Sequence, residues 1–151
     1  MEIRTIDLRP ITPQDEGFLW ELHIQTMRSY VEPIWGWDEE EQRRLLRTRN
    51  QPTERFIIEV NGFPAGHFER ICQPDARIIG NIQIHPSFQG FGVGTQLIEQ
   101  EVEQAHLSGL PTRLGVLVTN PNAKALYLRL GFEETEVTAT HHFLERRRQE
   151  K

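Results

Sequence analysis

A single cysteine in 151 residues, Cys72, rules out an internal disulfide and predicts a reducing compartment. Without a cysteine neighbour it reads as a small strand residue, not a nucleophile. No apolar run reaches membrane-spanning length, and Met1-Glu2-Ile3-Arg4 opens no signal-peptide core, so a cytoplasmic protein with no membrane partner is expected. A basic excess is also missing. With 17 Lys+Arg against 22 Asp+Glu the net charge is −5, which argues against nucleic acid as a partner. The histidines at 23, 67, 85, 106, 141 and 142 show no metal-ligand spacing, and no metal is expected. Internal repeats, low-complexity tracts and linkers are absent, so residues 1–151 read as one domain.

The apolar pattern then gives the order of elements. Ile3, Ile6 and Leu8 begin a first strand, ended by Pro10 and Pro13. Thr12 caps a helix with Pro13 at its first position, and apolar residues at three-to-four spacing carry it to about Arg28. Tyr30 to Trp37, broken by Pro33 and Gly36, reads as an aromatic loop, and Asp38 caps a helix from Glu39 to about Arg49. Three antiparallel strands follow, Phe56–Val60, Phe63–Cys72 and Arg77–His85, the first two joined by the hairpin signal Asn61-Gly62. Gly94 to about Ser108 is helical, Arg113–Val118 a strand, and Asn120 opens a helix stopped by Gly131. Strands from Phe132 to about Thr138 and Thr140 to Leu144 precede a charged tail, Arg146-Arg147-Arg148, read as solvated. The order β-α-α-β-β-β-α-β-α-β-β predicts an α/β fold with a mixed sheet covered by helices. Its central strand-loop-helix-strand unit should place two parallel strands side by side.

The segment Gln89-Gly90-Phe91-Gly92-Val93-Gly94-Thr95 joins the third antiparallel strand to a helix. Alternate glycines leave backbone N–H groups open to a ligand at a helix N-terminus, which makes a phosphate cradle. A P-loop would need Gly-Lys-Ser/Thr, and Gly94 is followed by Thr95 and Gln96. A dinucleotide fold would need G-x-G-x-x-G after a first strand, and the spacing here is Gly90-x-Gly92-x-Gly94.

Gln89-Gly90-Phe91-Gly92-Val93-Gly94 instead resembles the Q/R-x-x-G-x-G/A motif of the GNAT N-acetyltransferase superfamily. Ile84-His85-Pro86 looks like the V-x-P end of its preceding strand. Downstream, Asn120, Ala123, Leu126, Tyr127, Gly131 and Phe132 resemble its N-x-x-A-x-x-L-Y-x-x-x-G-F pattern. The likeness runs from about Arg55 to Leu144; the first fifty residues match only in outline.

The resemblance implies acetyl-CoA as donor, an amine as acceptor and direct transfer in a ternary complex. It implies that the N–H groups of Gln89 to Thr95 hold the pyrophosphate, that the two central parallel strands splay, and that the backbone of Ile82 and Ile84 meets the pantetheine or thioester. Asn120 would bond the pantetheine arm, and Tyr127 would stabilise or protonate the leaving thiolate. An ammonium must lose a proton before it attacks, and Glu69 and His85 are the candidate bases, beside a chain of water. Gln83 stands where some members of that superfamily carry an acid. The region of Tyr30, Trp35 and Trp37 would wall the acceptor site, which favours a small cationic amine over a peptide amine. The rival readings are a protein N-terminal or lysine acetyltransferase and a non-catalytic acyl-CoA sensor. Dimers are common in that family, so a homodimer is a further expectation.

Overall fold

In the computed structural model, which describes residues 1–147, the chain opens with strand β1, Ile6–Pro10. A 3-10 turn, Pro13–Asp15, then leads into helix α1, Glu16–Trp35. The Asp15 carboxylate accepts from the Thr12 N–H at 2.7 Å and takes both Arg9 guanidinium nitrogens at 2.9 Å. The hydrogen bonds from Arg9 hold the Asp15 pKa down to about 2, so this fork fastens β1 to the start of α1 at any ordinary pH.

Helix α1 is longer than the sequence predicts, and Tyr30 to Trp35 is helix where a loop is expected. Pro33 lies in the last turn, where its missing N–H removes one intrahelical bond and nothing downstream depends on it. Gly36, at φ 74°, ends the helix by donating to Glu32 O at 2.8 Å. Thr119 Oγ1 donates to Tyr30 O at 2.6 Å, and Val31 is buried, so tertiary contacts hold the final turns. Helix α2, Glu39–Arg47, is capped as expected, with Asp38 Oδ1 accepting from Glu41 N at 3.0 Å.

Strands β2, Glu54–Val60, and β3, Phe63–Gln73, form the expected hairpin, with Asn61 and Gly62 both at positive φ. Strand β4, Ala76–Ile84, pairs antiparallel with β3. Helix α3 spans Val93–Leu107, β5 Thr112–Leu117, α4 Pro121–Arg129, β6 Glu133–Val137 and β7 His141–Arg146. One sheet holds all seven strands in the order β1-β2-β3-β4-β5-β7-β6, with β4 and β5 parallel and the other pairs antiparallel. Arg146 belongs to β7 and donates to Leu130 O at 2.7 Å, covering the end of α4. It is therefore no solvated tail residue, while Arg148 lies outside the described residues.

Alternation along the strands divides the sheet's two faces. Phe68, Ile58 and Leu114 pack with Val93, Leu97 and Ile98 of α3 and with Tyr127 of α4. His67 and Glu69, flanking Phe68, face the side of α1 and α2. A β-bulge interrupts the β3–β4 ladder: Glu69 pairs with Asn81 and Arg70 with Ile79, leaving Gly80 unmatched. The extra residue shifts the side-chain parity. Ile79, Ile82 and Ile84 all pack on the α3 face, whereas simple alternation puts Ile79 opposite Ile82.

Glu101 of α3, only 3% exposed, links this helix to the sheet. Burial pushes its carboxyl pKa up, but the hydrogen bonds from Arg70 and Arg77, at 2.9 and 2.6 Å, outweigh that and hold it below the usual range.

Candidate active site

The parallel pair at the centre touches at two positions only, Arg77 opposite Thr112 and Ile78 opposite Arg113. Beyond them β4 and β5 diverge, and the facing edges from Ile79 to Ile84 and from Leu114 to Leu117 have no ladder partner. A cleft of about 660 Å³ fills the wedge. Unpaired strand edges offer a row of N–H and C=O groups to an extended ligand. The bulge at Gly80 bends β4 away at the point where pairing stops, which is its effect on a sheet.

The glycine segment closes one end of the wedge. Gly90 and Gly92 lie at φ 83° and 79°, with open space where a Cβ would stand. Gly92 is the N-cap of α3, and its carbonyl accepts from Gln96 N at 3.0 Å. The N–H groups of Val93, Gly94 and Thr95 therefore begin the helix without intrahelical partners, where the helix dipole favours an anion. Helix α3 starts one residue before the expected Gly94. Gly94 lies inside the first turn, where a Cβ would come within 4 Å of Ile82 and Ile84.

Gln89, Ile82, Ile84, Gly94, Asn120 and Tyr127 line the cleft together. Asn120 Oδ1 accepts from Ala123 N at 3.1 Å as the N-cap of α4, which orients the amide and leaves its NH₂ to donate. Gln89 Nε2 donates to Ile84 O at 2.9 Å, so that carbonyl is already engaged. Tyr127 is 5% exposed, its ring edge-on to Phe132 at 5.3 Å. Burial raises its pKa, so the phenol keeps its proton, and its hydroxyl has no hydrogen-bond partner among the described residues. It serves both as a core residue and as a free donor at the cleft.

The expected bases part company. His85 does not reach the cleft lining: its Nδ1 accepts from Ser87 N at 3.0 Å and its ring lies edge-on to Phe88. Strand β4 ends at Ile84, so His85 belongs to the turn that follows and not to the cleft face. Glu69 does line the cleft, with Oε1 held by the guanidiniums of Arg49 and Arg55. Of the aromatic residues expected at the acceptor end, Tyr30 and Trp35 line the cleft. Trp37 does not. It packs instead against Trp20 and His23, with ring centroids 6.1 and 5.5 Å away, and Arg28 lies over it. The turn after Gly36 folds it back between α1 and α2.

The sequence reading passes over a polar chain beneath this end of the cleft. His23 Nε2 lies 2.8 Å from Gln42 Oε1, and Gln83 Nε2 lies 3.2 Å from His23 Nδ1. Gln42 can only accept there, so Nε2 carries the proton and Nδ1 accepts from Gln83. Burial lowers the His23 pKa and keeps the ring neutral. Gln83 Oε1 is left buried without a partner among the described residues while its residue lines the cleft. A signal was present: His23 falls among Leu19, Leu22 and Thr26 on the apolar stripe of α1, where a polar group needs a partner.

His67 beside it is fully buried, and neither ring nitrogen has a hydrogen-bond partner among the described residues. Burial, then the charges of Arg55, Arg49 and His23, push its pKa down to about 3. A folded pKa below the unfolded one means the unfolded chain binds the extra proton between roughly pH 6.5 and 3. As the pH is lowered through that window, stability is therefore expected to fall by about 1.4 kcal/mol per pH unit on account of this one group. Urea titrations at several pH values should show the native slope reduced by one proton's worth in His67→Leu.

The family profile described as "Acetyltransferase (GNAT) family" matches residues 18–132. An uncharacterized N-acetyltransferase of Methanocaldococcus jannaschii is 33% identical over an alignment covering 89% of this chain. The chain spans only 64% of that relative's length. An acetyltransferase of Thermus thermophilus superposes with a TM-score of 0.75 at 23% identity, covering 97% of this chain and 99% of that one. The PaiA N-acetyltransferase of Thermoplasma acidophilum, solved with coenzyme A, gives 0.74 at 15% identity, with 95% and 99% covered.

Proposed function

The chain belongs to the GNAT acetyltransferase family, and from that premise we propose that it transfers the acetyl group of acetyl-CoA directly to a small amine bound in the same cleft. The observation that carries this reading is the unpaired wedge between β4 and β5, with the Tyr127 phenol on its wall and the α3 N-terminus at its end. The partnerless N–H groups from Val93 to Thr95 and the open backbone at Gly90 and Gly92 suit a pyrophosphate. The Ile79–Ile84 edge suits the amide-bearing pantetheine arm, and the Asn120 NH₂ donates to it.

The amine nitrogen bonds to the acetyl carbon, the C–S bond breaks, the sulfur leaves as a thiolate beside the Tyr127 hydroxyl, and the extra proton on the new amide nitrogen passes to that sulfur through water in the cleft. Backbone N–H groups on the β4 edge polarise the acetyl carbonyl. Gln83 Oε1 accepts a hydrogen bond from the incoming amine, its orientation set by His23 and in turn by Gln42. Tyr30 and the exposed Trp35 offer aromatic faces to a cationic acceptor. Glu69 lines that end of the cleft, its Oε1 held by the guanidiniums of Arg49 and Arg55. The ammonium loses its proton to water in the open cleft, so turnover should rise with pH toward the pKa of the acceptor.

Thiol release from acetyl-CoA, followed over a panel of polyamines, aminated small molecules and N-terminal peptides, tests this directly. Small amines should be acetylated with an acceptor KM raised roughly tenfold in Gln83→Leu, about the cost of one lost hydrogen bond. Transfer to peptide N-termini alone would move the assignment to protein acetylation. Tight acetyl-CoA binding without transfer to any amine would make the chain a sensor.

A further inference from the structure

A second cavity, about 320 Å³, lies against the N-terminal half of α1 and shares no residue with the cleft. Ile11, Leu19, Trp20 and Leu46 give it an apolar body, and three arginines, at 43, 47 and 55, stand around it. That volume is at the lower end of small-molecule sites, roughly 300 to 1,000 Å³.

The arginines are unequally matched. Arg47 pairs with Glu16, Nε to Oε1 at 2.9 Å. Arg55 reaches Glu69 Oε1 at 3.1 Å and Leu46 O at 2.7 Å, but Arg49 holds that same Glu69 oxygen. Arg43 has no carboxylate partner among the described residues; its guanidinium lies over the Trp20 ring at 4.1 Å. Of the groups that line the cavity, three guanidiniums thus stand with one carboxylate, Glu16. Burial and the charge of Arg49 both lower the Arg55 pKa, as expected for an under-compensated cation. A cavity with an apolar body and surplus fixed positive charge at its wall complements an anion with an apolar tail. The planar fork of Arg43, already oriented by Trp20, matches a carboxylate with two parallel hydrogen bonds.

We propose that this cavity binds a small organic acid, an aryl or alkyl body lying against Leu19 and Leu46 with its carboxylate on Arg43. The site stands apart from the acetyl-transfer reading and neither supports it nor depends on it.

Calorimetric titration of the full chain with phenylacetate, phenylacetamide and inorganic phosphate tests the assignment. Phenylacetate should saturate one site per chain. The neutral amide, which lacks the charge, and phosphate, which lacks the apolar body, should each bind at least about tenfold more weakly. Arg43→Gln should weaken phenylacetate by a similar factor, and Leu46→Trp, which fills the cavity and leaves the charges in place, should abolish binding. Saturating coenzyme A should leave the titration unchanged. No saturable binding, equal affinity for acid and amide, equal affinity for phosphate, retention in Arg43→Gln or Leu46→Trp, or displacement by coenzyme A would each overturn the proposal.

Discussion

Tyr127→Phe is expected to lower turnover by about two to three orders of magnitude while leaving acetyl-CoA affinity unchanged. The substitution removes one oxygen from a ring that is 5% exposed and packed edge-on to Phe132. That oxygen has no hydrogen-bond partner among the described residues, so its loss breaks no native interaction and leaves no orphaned partner. The variant should unfold at the same denaturant concentration as the native chain or slightly higher. Any fall in rate then belongs to chemistry. Because burial raises the phenol pKa, the group stays a neutral donor across the working range, and in the mechanism we propose it stabilises the charge on the departing sulfur. Single-turnover rates beside equilibrium acetyl-CoA titration separate the two effects. A variant with native turnover would take Tyr127 out of the mechanism and leave it a core residue.

Gly92→Asp should weaken acetyl-CoA by about a hundredfold or more, with turnover at saturating donor largely kept. Gly92 caps α3 at φ 79°, a conformation that aspartate and asparagine tolerate better than other residues, and a Cβ there meets nothing within 4 Å. The cost to folding should be about 1 kcal/mol. The carboxylate, however, stands at the helix N-terminus, where a pyrophosphate would be bound. Two like charges about 4 Å apart at a protein surface repel by about 4 kcal/mol. Gly92→Asn has the same shape without the charge, so the difference between the two variants reads the electrostatic part alone. Raising the salt concentration should narrow that difference by screening the exposed charges. Equal donor affinities in the two variants would remove the phosphate from this end of the cleft.

The central and C-terminal parts of the fold were largely legible because their signals are local. Asn61-Gly62 requires positive φ at both positions, which a hairpin supplies, and the structure has both. Asp38 and Asn120 cap α2 and α4 from within three residues. Pro33 and Gly36 predict a loop over Tyr30–Trp37, and only Gly36 and Trp37 lie outside the helix, because propensity does not weigh distant contacts. Long-range contacts decided the matter: Thr119 holds the Tyr30 carbonyl from 89 residues away, and Val31 is buried. Trp37, past the end of α1, packs on Trp20 and His23, contacts that no local window contains.

Sequence by itself determined the order of the elements, the glycine segment at the start of α3, and the presence of Asn120 and Tyr127 on one later helix. Each follows from residue spacing and backbone stereochemistry, which act over a few positions. Tertiary structure alone decided that β4 and β5 part after two paired positions, that a bulge at Gly80 shifts the parity of β4, and that Tyr127, Asn120 and Gln83 meet in the resulting wedge. It also placed His85 outside the cleft lining and set Glu69 in it under two guanidiniums. Those outcomes depend on how strands from distant parts of the chain register and twist against one another, and no local window of residues contains that information.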